Sequence, residues 1–117
     1  LAQYWFVRLE EYDKVIGSFG VHSFDAHRGS VEIGYGISPY YWGSGYFSEA
    51  AKIVMDYIFN DLCLHRVVAR TFTTNRASIH GLEKIGFSTE GIMRDYYRDT
   101  GGHWYDAIQM AKLNGDI

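Results

Sequence analysis

A mixed α/β (α+β) fold, a mostly antiparallel sheet with helices packed on it, is what the order of elements in this 117-residue chain predicts. Three observations carry the expectation. The chain opens on strand-like segments joined by short polar turns, the pattern of an antiparallel meander. A long amphipathic helix pattern then stands between two strand-like segments, which implies a right-handed crossover and a parallel pair. Two further strand patterns close the chain around Asp99-Thr-Gly-Gly102, a strong hairpin signal.

The elements follow in order. Gln3 to Leu9 alternates poorly but is rich in aromatics and reads as a strand. Glu10 to Lys14 is a polar turn, and Val15 to Phe24 returns as the antiparallel partner. After a turn at Asp25 to Gly29, the strand Ser30 to Ile37 puts Val31, Ile33, Tyr35 and Ile37 on one face. Glu32, Gly34 and Gly36 take the other face. From Tyr46 a helix pattern places Tyr46, Ala50, Ile53, Val54, Tyr57 and Ile58 on one side, with Glu49, Lys52, Asp56 and Asn60 opposite. Leu62 to Leu64 closes it. Arg66 to Thr73 is a β-branched strand, Ala77 to Ile85 a short helix capped by Gly86, and Ser88 to Arg98 with His103 to Leu113 the final pair.

Composition narrows the class. A chain of this length is read as one domain, residues 1–117. Apolar residues make up 47%, with no apolar run long enough to span a bilayer, so no membrane partner is expected. A net charge of −3 argues against a nucleic-acid surface and suits a cationic substrate. The single cysteine, Cys63 between Leu62 and Leu64, reads as core and fits a reducing, cytoplasmic setting. Beside His22, the other four histidines (His27, His65, His80 and His103) show no ligand spacing, so no metal is expected.

The stretch Pro39 to Ala50 carries the chemistry. Gly43-Ser44-Gly45 joins the strand ending at Ile37 to the helix pattern beginning at Tyr46. Such a turn lets backbone N–H groups approach a ligand closely, and the helix start adds unpaired donors and a positive dipole end. That is the physics of an anion cradle for a phosphate or pyrophosphate. It is neither a dinucleotide-binding loop, which needs glycine where Ser48 stands, nor a Walker loop, since no Gly-Lys-Ser/Thr follows.

Three motifs occur in a fixed order: Glu32-Ile-Gly-Tyr35, Trp42-Gly-Ser-Gly-Tyr-Phe-Ser-Glu-Ala50, and Asn75-Arg-Ala-Ser-Ile-His-Gly-Leu-Glu-Lys-Ile-Gly-Phe87 followed by Glu90-Gly91. Together they resemble the GNAT acetyltransferase superfamily, in particular its branch of ribosomal-protein N-terminal acetyltransferases, from about Val15 to Leu113. The resemblance implies acetyl-coenzyme A as co-substrate, held by the amides of Gly43, Ser44, Gly45, Tyr46 and Phe47. The superfamily loop reads Gln/Arg-x-x-Gly-x-Gly/Ala. Trp42 stands at its first position, as is usual for this branch, and Gly45 at the required glycine. Phe47 departs from the small last position, and its ring is expected to crowd the pyrophosphate.

The resemblance implies further roles. The backbone at Ile37 and Ser38 pairs with the pantetheine arm, and an amide there steadies the thioester oxygen, a device worth on the order of 3 kcal/mol. Asn75 contacts the same arm, and as a helix cap it contributes about 1 kcal/mol besides. Ser78 lies near the sulfur. Many relatives place a proton-donating tyrosine one turn further on, where this chain has Leu82, which leaves Ser78 as the donor to the leaving thiolate. The base stays open. Some members use a Glu near the end of the penultimate strand, where Tyr97 stands; Glu32 and His22 are the alternatives, and Glu90 is read as structural. Lys84 is either a solvated surface charge or a neighbour of the coenzyme phosphates.

The expected reaction is direct acetyl transfer to a primary amine. A protein α-amino group, with a pKa of about 8, is partly neutral already and dispenses with a strong base. The Tyr97 substitution therefore favours a peptide N-terminus over a polyamine or an aminoglycoside, while a non-catalytic coenzyme A-binding module is the alternative of another class. The chain begins with Leu1, already in a strand pattern, and nothing in it matches the family's first strand and the helices after it. The expectation is roughly 50 further residues before Leu1. Failing those, a second subunit would cover the open Gln3–Leu9 edge with its Tyr4, Trp5 and Phe6.

Overall fold

Residues 3–11 and 13–116 are described by the computed structural model; Tyr12, in the turn expected over Glu10 to Lys14, lies outside them. Along the chain run β1 (Gln3–Leu9), β2 (Lys14–Asp25), β3 (Ser30–Ile37), a 3-10 turn (Pro39–Tyr41), α1 (Tyr46–Asp56), β4 (Arg66–Phe72), α2 (Arg76–Lys84), β5 (Ser88–Arg98) and β6 (Trp104–Leu113). The strands form one six-stranded sheet in the order β1-β2-β3-β4-β6-β5. Among the described residues only the β3–β4 pair is parallel, and α1 is the crossover between its strands. The second helix makes no neighbouring parallel pair, because β6 inserts between β4 and β5 and runs antiparallel to both.

Period-two alternation decides which face of each strand meets the helices. Phe19 and Val21 of β2, Val31, Ile33 and Ile37 of β3, and Val67 and Ala69 of β4 form one buried layer. Full burial of one such side chain contributes roughly 1.5–3 kcal/mol. β1 is an edge strand whose alternation is strict: Trp5 and Val7 turn to the core, while Tyr4 and Phe6 face solvent.

Helix α1 lies on this layer, rotated from the face the sequence suggests. Phe47, Ala51, Val54 and Met55 are its buried residues, followed by Ile58, whereas Ile53 is 67% exposed. Two apolar stripes one residue apart run along this helix, and the aromatic layer of Phe19 and Tyr35 selects the one containing Phe47. The helix continues into a π-type turn at Tyr57–Asp61 and ends with Cys63 at φ 56°. Cys63 is exposed, not core: the left-handed residue that ends the helix turns its side chain outward and passes the burial to Leu64.

Candidate active site

The glycine turn behaves as its composition requires. Gly43 and Gly45 sit at φ 81° and 84°, and a Cβ on either would meet nothing within 4 Å, so the loop is open to an approaching group. Gly45 is the N-cap of α1 and has no side chain to satisfy the first-turn amides. Tyr46, Phe47 and Ser48 therefore begin the helix with N–H groups that have no intrahelical acceptor. Phe47 does not crowd this opening. Its ring points into the core, 5.6 Å from Phe19, 4.9 Å from Tyr35 and 5.4 Å from Trp42, so only its amide belongs to the cradle. Trp42 likewise packs half-buried against the core, and the two rings form the seat on which Gly81 of α2 rests.

Beside the loop the sheet divides. β3 and β4 pair only over Ser30–Ile33 with Arg66–Ala69, four residue pairs, although β3 runs on to Ile37 and β4 to Phe72. The backbone groups facing the resulting split follow from alternation. The Ser38 N–H donates to Ile16 O at 2.7 Å on the β2 side, so Gly36 and Gly34 also turn to β2, while Ile37 and Tyr35 turn their amides to the split. Of the two positions expected to offer a backbone donor, Ile37 has one and Ser38 has its own committed to β2.

A chain of side chains bridges the split on the helix face. Tyr35 Oη and Ser78 Oγ are hydrogen-bonded. The Ser78 N–H donates to Asn75 Oδ1 at 3.2 Å, the capping bond of α2, and Asn75 Nδ2 donates to Thr71 Oγ1 at 3.2 Å. Tyr35 on β3 and Thr71 on β4 are thus joined through the first turn of α2 where their backbones do not pair. Leu82, one turn beyond Ser78, is fully buried core.

The opposite face of the same strands is ionic and aromatic. Glu32 pairs with Arg70, whose Nε also donates to Gln109 Oε1 at 3.0 Å. Arg66 grips Glu90 with both guanidinium nitrogens, and Gln109 adds a third bond to that carboxylate at 3.0 Å. The Arg66 hydrogen bonds hold Glu90 down to about 2. Tyr97 stacks 4.6 Å from Phe72 and 5.0 Å from Tyr96. Burial first, then the neighbouring Tyr96 and Glu32, push its phenol up, so Tyr97 keeps its proton at neutral pH and is a donor rather than a base. His22 lies across from Glu32 on β2, its Nδ1 2.9 Å from Ser23 Oγ. Lys84 is exposed at the end of α2.

The structure therefore brings together Asn75 and Ser78 on the helix side of the sheet, and Glu32 and Tyr97 on the other side. Two members escaped the sequence reading. Tyr35 shares the apolar face of β3, where its hydroxyl is the signal that something polar must meet it. Arg70, the partner of Glu32, lies 38 residues away and carries no local signal. A cavity of about 700 Å³ lies elsewhere: it sits between β1 and α1, lined by Trp5, Val7, Ile16, Ile53 and Tyr57, and touches neither Ser78 nor Glu32.

Comparison with known proteins agrees with this geometry. The acetyltransferase (GNAT) domain family matches residues 2–88. An uncharacterized N-acetyltransferase, p20, of Bacillus licheniformis is 39% identical over 93 residues, which are 80% of this chain and 52% of that protein. Spermidine N(1)-acetyltransferase of Escherichia coli strain K12 is 39% identical over 76 residues, 64% of this chain and 40% of that protein. Among solved structures, ribosomal-protein-S5-alanine acetyltransferase from Vibrio fischeri superimposes with a TM-score of 0.91 at 29% identity, covering 99% of this chain and 63% of its own. This chain spans about half the length of p20, 52%. GNAT acetyltransferases use acetyl-coenzyme A as co-substrate. With a matching domain over most of its length and the same fold, the chain belongs to the GNAT acetyltransferase family.

Proposed function

We propose that this chain is the catalytic core of an N-acetyltransferase that moves acetyl from acetyl-coenzyme A directly to a primary amine, and that the amine is the α-amino group of a protein or peptide. The observation that carries the reading is the β3–β4 split, flanked at one end by the uncapped start of α1 and along one side by Ser78 and Asn75.

The residues present fit the coenzyme. The amides from Gly43 to Phe47, opened by two positive-φ glycines, are a donor set for a pyrophosphate. The unpaired β3 backbone at Tyr35 and Ile37 matches an extended amide-bearing arm, which would add to the sheet as a strand does. Asn75 holds the same arm from the start of α2. When bound, the coenzyme supplies an activated acetyl thioester. The Ile37 amide then polarises the acyl oxygen, and Ser78 protonates the departing sulfur. Glu32 has one carboxylate oxygen taken by Arg70, which leaves the other to receive the amine proton. With Tyr97 protonated and Glu32 paired with Arg70, the site suits an amine that is already partly neutral, as an α-amino group with a pKa of about 8 is.

A second reading takes a polyamine as acceptor; the similarity to a spermidine N(1)-acetyltransferase and the net charge of −3 favour it. Among the described residues no helix is long and apolar enough to cross a membrane. We place the chain as one domain of a cytoplasmic enzyme.

Thiol release from acetyl-coenzyme A tests the reading with three acceptors: an alanine-initiated peptide, spermidine and an aminoglycoside. Release with the peptide alone is expected. Release with spermidine alone transfers the assignment to the second reading, and coenzyme binding without release from any acceptor makes the chain a non-catalytic binding module.

A further inference from the structure

We propose that Tyr35 is a positioning residue for proton delivery: it holds Ser78 Oγ from behind, so that the one hydroxyl proton of Ser78 is committed to the leaving sulfur. The inference rests on the transfer reading above and adds a residue to it.

The Tyr35 phenol has one side-chain partner, Ser78 Oγ, and Ser78 Oγ has no other among the described residues. The ring cannot swing away, because Phe19 lies 5.6 Å from it and Phe47 4.9 Å, both on the buried layer. Either oxygen of the pair is a chemically competent donor, and the surroundings decide between them. Burial pushes the Tyr35 phenol up, so its proton stays on it, and as the more acidic of the two hydroxyls it donates while Ser78 accepts. A serine hydroxyl has a single proton. With its oxygen already accepting from Tyr35, that proton must find a different acceptor.

The ordinary alternative for a serine in the first turn of a helix is a bond back to a preceding backbone carbonyl, and Ser78 makes none. The direction left to it is the unpaired stretch between Tyr35 and Thr71, where β3 and β4 have separated. Asn75 fixes the serine from its other side by accepting the Ser78 N–H. Tyr35, Asn75 and Thr71 thus aim a group that would otherwise rotate freely.

The amine lone pair forms the N–C bond, and the C–S bond breaks with its electron pair on sulfur. Ser78 gives its proton to that sulfur and regains one from solvent, while the amine proton leaves through Glu32. As the Ser78 proton leaves, the more acidic Tyr35 phenol moves its own proton toward the bared oxygen, so no free alkoxide forms, and the proton from solvent restores the pair. The Tyr35 hydrogen bond steadies the negative charge that develops on Ser78 Oγ, which makes Ser78 a stronger acid.

Two measurements test this. In a double-mutant cycle on turnover, Tyr35→Phe is expected to lower kcat about tenfold with acetyl-coenzyme A affinity unchanged, and to add nothing in a Ser78→Ala background. Calorimetric binding gives a readout independent of turnover. At a pH above the pKa of its alkyl thiol, where free coenzyme A is largely thiolate, the wild-type protein should prefer it over desulfo-coenzyme A by about tenfold, and Tyr35→Phe should remove most of that preference. Additive losses in the cycle, or an unchanged thiolate preference, overturn the inference while leaving the transfer reading in place. No thiol release by the wild-type protein with any acceptor overturns both. Melting temperatures of the variants separate these outcomes from simple loss of folding.

Discussion

The two halves of the β3–β4 pair are held in opposite ways. Over Ser30–Ile33 the backbones bond to each other, and the side chains on the outer face lock into ion pairs, Glu32 with Arg70 and Arg66 with Glu90. Beyond Ile33 the backbones part, and a line of side chains from Tyr35 through Ser78 and Asn75 to Thr71 spans the space instead. The paired half has met its polar groups from within. The parted half keeps backbone donors at Tyr35 and Ile37 turned toward open space, and unpaired donors of that kind are costly unless something is meant to meet them. A sheet that stops pairing beside a glycine loop and a helix start offers a ligand what the intact half cannot.

The largest effect that tests this contrast comes from the loop. Acetyl-coenzyme A should raise the melting temperature, since a ligand at one hundred times its Kd stabilises by about 2.7 kcal/mol. Gly45→Val should abolish the shift: a β-branched residue at φ 84° costs on the order of 1–2 kcal/mol in backbone strain and fills the open approach. A shift that survives the substitution would separate the loop from the ligand site.

Next in size is Ser78→Ala, with turnover down by about 10²-fold and coenzyme affinity within about twofold, because proton transfer acts mainly in the transition state. Unchanged turnover would mean that solvent protonates the sulfur and that the bridge is only structural.

Within the paired half, the Arg66–Glu90 pair should respond in stability and not in turnover. Glu90 sits at about 2 in the folded protein against about 4.3 unfolded, a lowered value, so its contribution is complete above about pH 4.3 and drains away as pH falls toward 2. The pair is about one-third exposed, and solvent screening keeps that contribution to about 1 kcal/mol. Arg66→Met should therefore flatten the acid limb of the stability–pH curve and leave kcat intact; a variant that keeps the limb assigns the acid sensitivity to another carboxylate.

The smallest effect concerns the face of α1. Ile53→Ser should change stability by less than about 0.5 kcal/mol, while Ile58→Ala costs about 2–5 kcal/mol. Equal losses at the two positions would restore the stripe that the sequence favours.

Legibility differed by element for physical reasons. In β3 a period of two leaves one solution: Val31, Ile33 and Ile37 are buried as read, and Tyr35 follows in phase. In α1 apolar residues occupy most of the circumference, so stripes through Ile53 and through Phe47 are both acceptable to the sequence. They differ by one residue, about 100° of rotation, and only contact with Phe19 and Tyr35 chooses between them. That choice also removed the supposed obstruction at Phe47. Cys63 failed for a similar reason: its leucine neighbours suggested burial, but a left-handed helix end turns the middle residue out.

What the sequence determined by itself is whatever depends on nearest neighbours along the chain. The glycine loop, the Asn75 cap, the hairpin at Asp99–Gly102 and the alternation of the strands are short-range consequences of side-chain size, φ preference and donor placement, and they carried the family with them. The tertiary structure decided where strand pairing stops, which face of α1 is covered, that β6 inserts between β4 and β5, and that Tyr35 meets Ser78 across 43 residues. Those outcomes are settled by competition among long-range contacts for the same backbone groups and the same buried volume, and no local pattern records which competitor wins.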